Sequence, residues 1–125
     1  MKKVMIIIFS LLIIFFIVFT FTEPSIKTMY LKDYDYFKKI DLNEVYNVSI
    51  SKYTEGGVET DTYIDKSDVD YIYKELSNIQ IKEETNKSCD DNSIVYSFNL
   101  KNGKSIVITI ECEWIIINNK KFLIE

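Results

Sequence analysis

The stretch YIDKSDVDYIYKEL, Tyr63 to Leu76, carries Asp65, Asp68, Asp70 and Glu75 within fourteen positions. Acids at that density raise two chemistries, an oxygen-ligated cation and a carboxylate pair acting as acid and base. The calcium loop of an EF-hand requires D-x-[DN]-x-[DN]-G and a glutamate at position twelve. Counted from Asp65, positions three, five, six and twelve are Ser67, Val69, Asp70 and Leu76; counted from Asp61, positions three and six are Tyr63 and Lys66. Neither frame fits. A helix start explains the acids better. Ser67 can cap it with Asp70 in the capping-box position, or Asp65 can cap it with Asp68 there. Carboxylates in a first turn meet the positive end of the helix. Val69, Ile72, Tyr73 and Leu76 fall at i, i+3, i+4 and i+7, one apolar face. Asp70 and Lys74 form an i,i+4 pair, and Asn78 suits a left-handed stop.

The second set is Cys89 and Cys112, the chain's two cysteines. With no histidine in the sequence, neither has the partners of a metal site or the base of a thiol nucleophile. Two readings stay open. They form a disulfide closing 22 intervening residues, or Cys112 continues the core-facing row of its strand as a buried thiol. Asp90 and Asp91, beside Cys89, read as solvated turn residues before they read as an acid pair.

Composition excludes further chemistry. The chain has 125 residues, 47% hydrophobic and 27% charged, which is globular and one domain's worth. All 15 basic residues are lysine. Without arginine there is no bidentate clamp for phosphate, and a net charge of -4 opposes nucleic-acid binding. No cofactor or metal site is expected. The absence of alanine and arginine, with heavy isoleucine, asparagine, lysine and tyrosine, is the usage of an AT-rich genome.

Two lysines, Lys2 and Lys3, precede an apolar run from Val4 to Phe21 broken only by Ser10 and Thr20. As a helix it spans about 27 Å, close to the hydrocarbon thickness of a bilayer. A cleaved signal peptide is the rival reading. It wants a shorter apolar region and small residues at the cut, whereas the exit here is Thr20-Phe21-Thr22-Glu23-Pro24. The expectation is a single-pass signal anchor, with lipid contact through residues 4–21, the N-terminus cytoplasmic and the rest extracellular. That remainder keeps 13 lysines against 19 acids.

The organisation expected is a transmembrane signal-anchor helix over 1–22, a juxtamembrane linker over 23–43 and an extracytoplasmic α+β domain over 44–125. In the linker Leu31, Tyr34, Phe37 and Ile40 recur every three residues, which allows a short helix with one apolar stripe. Val45–Tyr53 and Val58–Ile64 read as strands about a Glu55-Gly56-Gly57 turn, with Tyr46, Val48 and Ile50 on one face. The acidic helix follows, then a weaker strand, IQIKEE.

Ile94–Leu100 and Ser105–Cys112 alternate strictly. A three-residue loop, Lys101-Asn102-Gly103 with glycine in the left-handed region, sets Phe98 against Ile106, Tyr96 against Ile108 and Ile94 against Ile110. A two-residue loop would slip every apolar side chain to the wrong partner, so burial selects the G1-bulge hairpin. WIII and KKFLI close the chain around Asn118-Asn119. The fold class is thus α+β: a small antiparallel sheet, β-β-α followed by a meander, with one helix packed on one sheet face.

The Lys-Lys anchor, the DKSDVDYIYKEL helix and the YSFNLKNGKSIVITI…INNKKFLI pattern together resemble small, N-terminally membrane-anchored extracytoplasmic proteins of low-GC Gram-positive bacteria. The resemblance implies an architecture and transfers no catalytic or binding residues. The function expected is a non-catalytic, tethered module that binds an envelope protein or a ligand through a sheet edge or its acidic face. The alternative is an immunity or inhibitor protein against an envelope-active toxin or hydrolase. A small hydrolase using Asp90, Asp91 or the helix acids lacks a base and a motif.

Overall fold

Alternating apolar residues on both sides of Lys101-Asn102-Gly103 pin the central hairpin. The computed structural model describes Ser10, residues 28–87, Cys89 and residues 92–125. Strands β5 (Ser93–Leu100) and β6 (Ser105–Glu111) pair with Phe98 opposite Ile106, Tyr96 opposite Ile108 and Ile94 opposite Ile110. Gly103 takes φ 84°, and Leu100 N–H bonds Lys104 O at 2.8 Å. The meander continues through β7 (Trp114–Ile117) and β8 (Lys120–Ile124). Asn118 and Asn119, at φ 53° and 61°, form the turn between them, a backbone that asparagine tolerates.

The remaining strands are β1 (Met29–Tyr30), β2 (Val45–Thr54), β3 (Gly57–Tyr63) and β4 (Gln80–Glu84). All join one antiparallel sheet in the order β1-β4-β8-β7-β6-β5-β2-β3. Helix α1 (Lys66–Ser77) follows β3 at one edge and precedes β4 near the other, so it crosses one sheet face. Val69, Ile72 and Leu76 are buried against Val48, Phe98, Ile106, Ile108, Ile115, Ile117 and Phe122. The opposite face carries Ser49, Ser51, Thr60, Thr62, Ser97 and Asn99, several hydrogen-bonded to one another. Apolar inward and polar outward is the usual economy of an antiparallel sheet covered on one side.

Residues 29–43, part of the linker expected over 23–43, pack into this core. Leu31 and Phe37 are fully buried and Ile40 nearly so. They lie in or beside three 3₁₀ turns, Leu31–Asp33, Phe37–Lys39 and Leu42–Glu44. A spacing of three is the repeat of a 3₁₀ helix, which places each third side chain on one line. Phe37 stacks on Tyr73 of α1 at 5.2 Å, Tyr34 meets Phe122 edge-on at 5.1 Å, and Leu31 N–H bonds Ile79 O at 2.8 Å. The helix and the 3₁₀ turns together form the layer over the sheet.

Four local expectations differ from the structure. Asp65 is the N-cap but neither it nor Ser67 caps through its side chain. Asn78 closes the helix at φ −89°, ψ 1°, outside the left-handed region, and Asp70 forms no ion pair with Lys74. Tyr46 is exposed because a bulge between Val45 and Asn47 shifts the register against β5, turning it away from the core row. The expected span over 4–21 lies outside the described residues apart from Ser10. Among the described residues no helix is long and apolar enough to cross a membrane.

Candidate functional site

Where α1 leaves the sheet edge uncovered, three strands and one helix face enclose a groove of about 330 Å³. Ile50 of β2, Tyr63 of β3 and Tyr96 of β5 form its floor and wall. Asp68, Tyr71, Ile72 and Glu75 of α1 form the other side. Strand pairing explains the floor: Ile50 stands directly opposite Tyr96 on one side and Asp61 on the other, so all three point to the helix-covered face. Helical spacing explains the wall. Asp68, Tyr71 and Glu75, at i, i+3 and i+7, run alongside the apolar stripe and face the groove as that stripe enters the core.

The chemistry of this lining is aromatic and anionic. Three tyrosines converge with two carboxylates, and no lysine lines the groove. Tyr71 is 66% exposed and stands as a free aromatic plate. Tyr96 is half-buried, and its phenol is raised above the ordinary 10.0, first by burial and second by the charge of Glu75. It therefore stays protonated and neutral at physiological pH, able to donate a hydrogen bond. Tyrosine faces and carboxylates attract the same ligand type, an ammonium or guanidinium group.

Of the helix acids, Asp68 and Glu75 belong to the groove, Asp65 ends the β3–α1 connection, and Asp70 is half-buried elsewhere on the helix. Among the described residues no three acids or cysteines come close enough to hold a metal ion. Asp90 and Asp91 lie outside the described residues.

Cys89 and Cys112 are joined as a disulfide with Cα atoms 6.5 Å apart, inside the usual range for such a bond. Cys112 does not continue the core row of β6. It sits exposed in the β6–β7 turn at φ 51°. Lys121 secures the neighbouring loop, donating through Nζ to Lys87 O at 2.9 Å and to Glu111 at 3.1 Å.

Compared with protein-family models, with curated proteins and with solved structures, the chain shows no significant match.

The groove residues Ile50, Tyr63, Tyr71 and Tyr96 were not singled out from sequence, because three of them come from different strands. A partial signal existed. Asp68, Tyr71 and Glu75 form a second, polar-aromatic line beside the apolar stripe of the same helix.

Proposed function

We propose that this chain is a membrane-tethered, non-catalytic binding module at the cell envelope, whose contact surface is the groove between α1 and the sheet. The observation that carries the reading is the convergence of Tyr63, Tyr71 and Tyr96 with Asp68 and Glu75 in one open concavity. Its chemistry fits a lysine or arginine side chain, or another organic cation, presented by an envelope partner. Asp68 and Glu75 are exposed, which suits attraction of a charged ligand rather than the desolvated setting of a general acid. The apolar run over 4–21 supports the tether, and the Cys89–Cys112 disulfide supports an oxidising compartment outside the cytosol. The resemblance to anchored extracytoplasmic proteins of low-GC Gram-positive bacteria points the same way.

The same acidic groove fits an immunity or inhibitor protein that occludes a basic patch on an envelope-active toxin. Neighbouring genes separate the two: a toxin or its exporter favours immunity, a sensor or envelope complex favours an adaptor.

The test is crosslinking and pull-down of the anchored protein from its own membrane, with the Asp68→Lys/Glu75→Lys double variant alongside. A partner recovered by the parent and lost by the variant supports the groove. No partner above background, or one that the variant recovers equally, contradicts it.

A further inference from the structure

We infer that β3 is a docking edge for an extended basic segment of the partner, which adds to the sheet as a further strand and delivers a cationic side chain to the groove. The inference rests on the binding-module reading and names the partner's chemistry. Strand β3 (Gly57–Tyr63) is an outer strand of the sheet, and six of its seven residues are exposed. The other edge differs. There β1 has two residues and follows directly from the segment that leads to the N-terminal apolar run.

Free edges are ordinarily blunted by charged side chains, lysine above all, by proline, by a bulge or by brevity. Residues 57–63 contain no lysine or proline, and their register with β2 is unbroken from Val48–Tyr63 to Thr54–Gly57. The strand's charges are Glu59 and Asp61, which guard the edge against neutral or like-charged strands and leave a cationic strand favoured. Both alternate with Tyr63 on the groove face, since their partners Lys52, Ile50 and Val48 alternate on the core side of β2. Lys52 stands across from Glu59, but Asp61 faces Ile50 and has no cation across the strand. A second copy of the chain is a poor occupant. Antiparallel pairing of two β3 strands about Thr60 would set Glu59 against the copy's Asp61, like charge on like charge. A strand with lysine or arginine at alternate positions meets Glu59 and Asp61 instead, with the next alternate side chain at Tyr63 and the groove mouth. Backbone bonds would supply affinity and the alternating charges specificity.

The experiment uses the full-length chain in phosphatidylcholine nanodiscs, with an alternating lysine–threonine octapeptide as probe, read by amide hydrogen exchange. Controls are the same peptide N-methylated at every residue, which keeps the charge and has no backbone donor for a sheet ladder, and a glutamate–threonine counterpart. The expected result is that the lysine peptide slows exchange of β3 amides about tenfold while neither control does. Asp61→Lys should weaken the lysine peptide about fivefold or more, and Asp61→Asn less. If the lysine and N-methylated peptides both perturb Tyr71 and Tyr96 without protecting β3, the edge proposal is overturned and the groove reading stands. If no peptide alters exchange at β3 or at Tyr71 and Tyr96, both are overturned. Equal protection by the glutamate peptide overturns the charge basis of the proposal.

Discussion

The Glu75 carboxylate acts on the Tyr96 phenol across the groove: burial first and this charge second hold the phenol above 10.0. A raised pKa means the folded state keeps a proton that the unfolded chain has already released. The associated stability is intact below about pH 10 and is lost as pH rises through the folded value. Tyr96→Phe should therefore flatten the alkaline fall in urea stability, and Glu75→Gln should bring the phenolate absorbance transition of Tyr96 down toward its ordinary position. An alkaline limb unchanged by Tyr96→Phe would remove this coupling from the site.

The 3₁₀ segment is a core element. Phe37→Ala should cost about 3–5 kcal/mol, as deletion of a fully buried aromatic does, where a linker residue would cost almost nothing. Leu76→Ala should cost about 2–5 kcal/mol, while Asp68→Asn, at the exposed helix start, should cost under about 1 kcal/mol. Urea unfolding of the three variants checks the ranking, and a neutral Phe37→Ala would return residues 29–43 to the status of a linker.

Gly103 serves the turn of the central hairpin through its backbone alone. A Cβ added there meets nothing within 4 Å, yet φ is 84°. Gly103→Ala should cost about 1–2 kcal/mol of strain without altering the Phe98–Ile106 register, as cross-strand nuclear Overhauser contacts would report. A register slip in that variant would show that the loop, and not burial, selects the pairing.

Reduction of the Cys89–Cys112 bridge should lower stability by about 3 kcal/mol, the loop-closure contribution of a bridge of this span. Cys112→Ser should show the same loss and no response to reductant. Intact mass should rise by two protons' worth on reduction. A mass that does not change would mean that the two thiols are free.

Strand positions and the β5–β6 register were legible because alternation has a period of two and one slip inverts a whole face. The helix was legible from Val69, Ile72, Tyr73 and Leu76. The 3₁₀ layer was half legible: Leu31, Tyr34, Phe37 and Ile40 announced a period of three, but the charges between them looked like solvated linker. Tyr46 misled because a bulge resets alternation and leaves no mark in the sequence. The pairings of β4 with β1 and β8, and hence which edge stays free, join segments far apart in sequence and have no local signature. The groove was hidden for the same reason, since Ile50, Tyr63 and Tyr96 become neighbours only once β3, β2 and β5 lie side by side.

The most direct test of a groove-centred binding module places a photo-crosslinking side chain at position 71 of the full-length chain in its native cells, with position 107 on the opposite sheet face as the control. The account predicts a discrete adduct from position 71, absent from position 107 and lost when Asp68→Lys and Glu75→Lys are added. No adduct at position 71, or equal adducts from both faces, would contradict it.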